Sequence, residues 1–280
     1  YKEMCTSVLM PGVQHMRHTL LPEHKFIKGQ PNTGAYLADD LELIANKFEG
    51  EIAACIVEPI AGSTGILVPP KGYLNRLREI CDKHDILLIF DEVITGWGRT
   101  GSPFAAQEFN VTPDIMTLAK ATTNGVVPMG VVAVRDGIYE TVMDSAPEGA
   151  IELFHGYTYS GIPSAVAAAL AVQDILEKEN IFNRVKEISP YFQEALHSLR
   201  DLECVENIRG YGLLGGIDIK KKDKPGKAGF QVYKTCYENG VNLKATGDAL
   251  VLAPPFISEK KHIDEIFDKI RKSLVQYMVR

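Results

Sequence analysis

The sequence predicts an α/β fold. A larger part is built on a mostly parallel sheet with helices on both faces, and a smaller α+β part follows at the C-terminal end. Three observations predict this. From about residue 50, strand-length apolar runs alternate with stretches that repeat apolar residues at helical spacing. The runs are apolar throughout rather than alternating, as strands covered on both faces are. After residue 162 the texture changes to an Ala-rich helix, longer helices and shorter strands.

The elements follow in order. Leu37 to Lys47 reads as a helix leading into the first strand, Ile52 to Val57, which Glu58-Pro59 closes. Tyr73 to His84 places Tyr73, Leu74, Leu77, Ile80 and Cys81 on one helical face. Ile86 to Phe90 is a second buried strand, closed by Asp91-Glu92. Pro113-Asp114 opens a third, Ile115 to Leu118, and Val131 to Val134 is a fourth. Pro163 sits where a first helical turn tolerates proline, ahead of the helix Ala165 to Leu176. A second helix spans Ile181 to Leu199. Val205 to Ile208, Leu213 to Ile219 and Leu250 to Leu252 read as strands, and Gly226 to Glu238 and Ser258 to Met278 as amphipathic helices. The change of texture near Gly161 to Pro163 divides the chain into 1–162, part of the large domain, and 163–280, the small one. Lys220 to Lys227 is Lys-rich and turn-prone, and reads as a solvated loop.

Composition excludes several classes. With 45% of its 280 residues apolar, the chain can bury a core and is not a disordered polymer. Lys plus Arg number 30 against 36 Asp plus Glu, a net charge of -6, so no basic excess exists to neutralise nucleic-acid phosphates. The apolar runs are strand-length, too short to span a bilayer. The five cysteines, Cys5, Cys55, Cys81, Cys204 and Cys236, form no CxxC pair and no zinc-ligand spacing. They read as buried thiols in a reducing compartment, taken to be the cytoplasm, and no metal site is expected.

In open α/β sheets, ligands bind outside the carboxyl ends of the strands. Three such ends carry ionisable residues: Glu58, Asp91-Glu92 and, just past Leu118, Lys120. Singly, each reads as a cap, an ion-pair partner or a surface lysine. Together, with the glycines of Gly62 to Gly65, Gly96 to Gly101 and Gly125, they outline a cofactor cleft. It is not a nucleotide site. Gly96 to Gly101 has the letters of GxGxxG but starts five residues past Asp91, without the strand-to-helix context, and no GxxxxGK[ST] occurs. A strand-end carboxylate with a lysine 29 residues on suits pyridoxal phosphate. That cofactor needs an amine for its aldehyde and a carboxylate to keep its ring nitrogen protonated.

The motifs extend the case. Ile56-Val-Glu-Pro-Ile-Ala-Gly62, Leu87-Leu-Ile-Phe-Asp-Glu-Val-Ile-Thr-Gly-Trp-Gly-Arg-Thr-Gly101 and Pro113-Asp-Ile-Met-Thr-Leu-Ala-Lys120 occur in that order. Thr123 to Gly130, Phe154-His-Gly-Tyr-Thr-Tyr-Ser-Gly161, Arg209 to Leu214 and Thr246 to Pro255 follow. Over nearly its whole length the sequence resembles the class III aminotransferases. Within them it is most similar to the ω-amino acid (β-alanine):pyruvate aminotransferases, through Pro59 to Gly65 and Phe154 to Tyr159. The resemblance implies an aspartate-aminotransferase-like fold (fold type I) with pyridoxal 5'-phosphate. The amino group of an ω-amino acid or amine such as β-alanine would pass to pyruvate. Lys120 would be the Schiff-base lysine and proton shuttle, a desolvated amine beside a cation. Asp91 would pair with the pyridinium nitrogen, Val93 would pack on the ring, and Glu58 would lie near the ring substituents or the substrate. Thr158 would reach the cofactor phosphate across a subunit boundary. A homodimer with shared sites follows, with a tetramer left open.

Two positions depart from that pattern. Ile162 stands where the family has His in its Ser-Gly-His-Pro run. Lys244 stands where related enzymes have an Arg that grips the substrate carboxylate; Lys offers a point charge instead of a planar fork. Either Lys244 alters selection of the acid substrate, or the exchange is tolerated in a mobile loop. Other class III reactions, such as those of an aminomutase, racemase or decarboxylase, stay open because fold does not decide reaction. A degenerate non-catalytic homologue is the non-enzymatic alternative, against which stand both Lys120 and Asp91. The chain opens Tyr-Lys-Glu-Met, and no Gly/Ser-rich phosphate-cradling turn precedes Glu58. An N-terminally incomplete sequence is therefore expected, one that starts partway through the large domain.

Overall fold

A computed structural model describes residues 10–221 and 224–279. Cys5, and Lys222 and Asp223 of the Lys-rich stretch, lie outside the described residues. The order is α1 (Asp39–Lys47), β1 (Ala54–Val57), α2 (Tyr73–Lys83), β2 (Leu87–Asp91), α3 (Ala105–Glu108), β3 (Ile115–Leu118), β4 (Val131–Val134) and α4 (Asp136–Asp144). The C-terminal half adds α5 (Pro163–Lys178), α6 (Ile181–His197), β5 (Val205–Tyr211), β6 (Leu214–Ile219), α7 (Lys227–Glu238), β7 (Lys244–Thr246), β8 (Ala249–Leu252) and α8 (Lys260–Val279).

Two sheets organise the chain. The first runs β1-β2-β3-β4, with β1, β2 and β3 parallel and β4 antiparallel to β3. The second runs β5-β6-β8-β7, all antiparallel. The parallel register sets the ends of β2 and β3 side by side: Asp91 opposes Thr117, with Lys120 three residues on. Because β1 and β2 are joined through α2, their carboxyl ends also face the same edge.

Each sheet has its own core. Leu37, Leu41, Leu77, Ile80, Leu88 and Phe90 fill the space among α1, α2 and the first sheet. Val185, Phe192, Ile208, Ile217, Val232 and Ile270 do the same for the second. A small third cluster, Ile60, Ile66, Val68 and Leu214, joins the loop after β1 to β6. The opening of β3 is anchored by buried Asp114, which accepts from Leu88 N and pairs with Arg78 and Arg135. Burial alone would push its pKa up; the two guanidiniums and the Leu88 N–H outweigh burial and hold it below the usual carboxylate range.

Most predicted elements are present with shifted ends. The first helix is preceded by a 3-10 turn over Ala35–Ala38. The strand predicted over Ile86 to Phe90 runs from Leu87 through Asp91. The short helix α3, helix α4 and strand β7 were not predicted. Pro163 does occupy the first turn of its helix. Cys55, Cys81, Cys204 and Cys236 are buried thiols, joined by no disulfide among the described residues.

Candidate active site

Lys120, just past the end of β3, opens onto a cavity of about 620 Å³. Its walls come from the loop after β1 (Gly62, Ser63, Ile66), the segment after β2 (Val93, Arg99) and the turn after β3 (Lys120, Asn124). The second half of the chain adds Leu214, Lys244 and an apolar side formed by Val172, Ile175, Leu176 and Phe256.

Side-chain hydrogen bonds set each wall. Half-buried Glu58 accepts from Gly62 N at 2.9 Å, folding the post-β1 loop so that its backbone faces the cavity. A β-carbon on Gly62 would lie 2.3 Å from Ile94 Cδ1, so any larger residue there would have to displace the Ile94 side chain. Asp91 ends β2 and accepts from Val93 N at 3.0 Å, a local turn that points the chain toward the cavity. Its neighbour Glu92 is buried and accepts from Ala105 N, Ala106 N and Thr95 Oγ1 at 2.8, 2.7 and 2.8 Å. Burial nevertheless raises its pKa above the ordinary glutamate value. Glu92 thereby pins both ends of the glycine loop between β2 and α3. After β3, the 3-10 turn Lys120–Thr122 is tied down by Trp97 Nε1 donating to Thr122 Oγ1 at 2.8 Å.

Backbone strain collects here. Ile66, Lys120 and Asn124 line the cavity with φ of 60°, 44° and 53°, and Trp97 behind them has 65°. For a β-branched residue such as Ile66 this is costly, and such conformations persist where surroundings over-determine them, often at functional sites.

The predicted residues divide into three groups. Val93, Lys120 and Lys244 line the cavity. Asp91 and Glu58 stand one layer back, shaping its walls through Val93 and Gly62. Thr158 is not brought in: it lies exposed in the segment between α4 and α5. Lys120 is exposed rather than desolvated, and has no hydrogen-bond or ion-pair partner among the described residues. Lys244 belongs to a paired strand, opposite Val251, and approaches Ser63 Oγ at 3.3 Å. Ile162 is 37% exposed and fills no interior space in this chain. Arg99, Ser63 and Ile66 were missed. Arg99 and Ser63 sit inside sequence motifs in which neither residue was given a role, and Ile66 carries no chemical signature that singles it out.

Comparison with known proteins supports what the geometry outlines. The family model for class III aminotransferases matches residues 2–274. The chain is 51% identical over 271 residues to an ω-aminotransferase of Caulobacter vibrioides, covering 96% of this chain and 62% of that protein. It is 46% identical over 273 residues to the ω-amino acid–pyruvate aminotransferase of Pseudomonas putida, covering 95% and 60%. The chain thus spans about three-fifths of the length of these relatives. Among solved structures, a thermostable ω-transaminase engineered for synthesis of enantiopure bulky amines superposes with a TM-score of 0.91 at 29% identity, over 99% of this chain and 64% of that one. An (S)-enantioselective ω-transaminase from Thermomicrobium roseum gives 0.81 at 36% identity, over 87% and 56%. With a family match over nearly all of its length and the family's fold around a lysine-bearing cavity, the chain belongs to the class III aminotransferases.

Proposed function

We propose that this chain carries the lysine side of a pyridoxal-phosphate site and serves in transfer of an amino group from an ω-amino acid or amine to pyruvate. The observation that carries the reading is the unpartnered Lys120 amine on the cavity wall, beside the end of the strand that bears Asp91. The residues fit the cofactor by the chemistry of their donors. An amine without an ion-pair partner is free for an aldehyde, and the Asp91 carboxylate, bonded only to a backbone N–H, is free for a cation. Relatives bearing the names ω-amino acid–pyruvate and β-alanine–pyruvate aminotransferase, each 46% identical, support the substrate class.

When bound, pyridoxal phosphate supplies an aldehyde and a cationic ring that draws electrons from the carbon bearing the amine. Lys120 would hold the group through Nζ, and its amine would move the proton at the carbon that bears the substrate amine. Asp91, which stands behind the Val93 wall and is bonded only to Val93 N among the described residues, would be the carboxylate that keeps the ring nitrogen protonated. Val93, on the cavity wall, would pack against the ring, and Glu58 holds the Gly62 loop in the form that lines the cavity. Lys244 attracts the substrate carboxylate, with Ser63 orienting its ammonium. Thr158, exposed here, completes a phosphate site on a partner copy, which makes the assembly a homodimer or a pair of dimers. We take 163 as the start of the small domain. The buried thiols suit a reducing cytoplasm; among the described residues no helix is long and apolar enough to cross a membrane.

The test is spectroscopic. Adding pyridoxal phosphate to the protein should produce a visible band that β-alanine bleaches and pyruvate restores. Lys120→Ala should lose both the band and turnover. Normal turnover in that variant would overturn the reading.

A further inference from the structure

The cavity contains a cation with no assigned partner. Arg99 lies in the glycine loop between β2 and α3, held from two sides. Leu213 N donates to its carbonyl at 3.0 Å, and Gly212 (φ 55°) comes so close that a β-carbon there would sit 2.5 Å from the same oxygen. At the other end, Nη1 donates to Pro254 O at 2.6 Å, and the guanidinium carbon lies 4.3 Å from the centre of the Phe256 ring. The side chain is therefore positioned rather than loose.

Its charge is not balanced. Arg99 makes no ion pair among the described residues, and one of its five N–H donors accounts for its only hydrogen bond. None of its nitrogens is both sealed and unsatisfied, so the spare donors keep access to solvent, and the residue lines the cavity. Burial lowers its pKa to about 10, the mark of a desolvated cation without a counter-ion. Structural arginines in proteins usually spend the guanidinium on a carboxylate, as Arg209 does here with Asp218 through two bonds of 2.5 and 2.8 Å. A fixed, partly desolvated guanidinium facing a cavity is the geometry that receives a carboxylate from a ligand.

Its surroundings differ from those of Lys244. Lys244 is exposed and beside the Ser63 hydroxyl. Arg99 is against Phe256, and Val172, Ile175 and Leu176 continue the apolar wall of the same cavity. A ligand whose charge meets Arg99 can lay methylene groups along that wall. We propose that Arg99 is a second carboxylate anchor of this cavity, selecting ω-amino acids whose methylene chain lies along the apolar wall and whose acid group ends at the guanidinium. This rests on the transaminase reading above, and makes Arg99 a specificity-determining residue alongside Lys244.

The experiment compares 6-aminohexanoate with hexylamine, donors alike in chain and different in the acid group. The preference for the acid, as a ratio of kcat/KM, should fall about tenfold or more in Arg99→Gln, chiefly through KM, because a charged hydrogen-bonded contact is lost. Arg99→Lys should recover part of it. Calorimetric titration of the holoenzyme with hexanoate against hexanol gives a readout without turnover: hexanoate should bind more tightly, and this advantage should shrink in Arg99→Gln. An unchanged acid-to-amine ratio together with an unchanged hexanoate advantage would overturn the proposal. If Arg99→Gln fails to fold, Arg99→Lys and the wild-type comparison decide: absence of a hexanoate advantage over hexanol in the wild type overturns it. A wild type that bleaches with no amine donor would instead overturn the transaminase reading, a separate outcome.

Discussion

Lys120 illustrates how much one residue's setting depends on its neighbours. Its φ of 44° places a non-glycine residue in left-handed backbone, and the 3-10 turn it opens is locked by the Trp97–Thr122 bond. The conformation costs roughly 1 kcal/mol and is retained because surrounding bonds over-determine it. Lys244 is the other informative residue. Placed on paired strand β7 and within reach of Ser63, it is held more firmly than a loop lysine, yet still presents one compact charge. Lys244→Arg should lower KM for pyruvate and β-alanine by about three- to tenfold, because a guanidinium binds a carboxylate by two parallel bonds. Steady-state kinetics with both substrates would check this; unchanged KM for both would mean that Lys244 does not hold the carboxylate.

Among elements, α6 carries a pH-sensitive residue far from the chemistry. His197, in its last turn, is 2% exposed, and neither ring nitrogen has a hydrogen-bond partner among the described residues. Burial, reinforced by nearby Lys28 and Arg200, holds its pKa at about 4 against an ordinary 6.5. The folded chain therefore refuses a proton that the unfolded chain accepts below 6.5. Stability should fall as pH drops from about 6.5 to about 4, by about 3 kcal/mol in all, since the state binding more protons gains on acidification. His197→Leu should flatten this slope. Urea unfolding at pH 7 and pH 5 would show it, and an undiminished slope in the variant would place the acid sensitivity elsewhere.

The whole molecule exposes apolar surface around the segment that holds Thr158. Phe154 and Tyr159 are 98% and 85% exposed, and Val132 on β4 and Leu170 on α5 are exposed apolar residues as well. Large exposed apolar patches mark interaction surfaces, which agrees with the proposed dimer. If Thr158 serves the site of a partner copy, two defective variants should complement each other. A mixed dimer of Lys120→Ala and Thr158→Ala chains contains one site with both substitutions and one with neither. Coexpressing the two should restore activity toward the level of one wild-type site per mixed dimer. Activity no higher than the average of the two homodimers would mean that Thr158 acts within its own chain or not at all.

Much of this was readable in the residues alone. The apolar run Leu87 to Phe90 announced a strand of a parallel sheet by its composition, but burial on both faces is not realised in this chain: β2 alternates buried and half-buried residues, and Ile56 of β1 and Val132 of β4 are 61% and 66% exposed. Asp91 and Lys120 are recognisable because an acid and an amine at strand ends have few structural uses in common. Helix α3 was not readable, because four residues carry no helical period; its start is capped from a distance by Glu92. Strand β7 was missed because three residues become a strand only by pairing with β8. Arg99 has the same explanation at the level of the site. Its letter is legible, but the lack of a counter-ion, the Phe256 face and the cavity beyond it arise from segments more than 100 residues apart. Sequence by itself determined most of the strands and the family, since these follow from local pattern and residue type, and it supplied the residues proposed to carry the chemistry. Tertiary structure alone decided which of them share a cavity, which stand behind it and which face solvent, since burial and charge balance depend on contacts between distant parts of the chain.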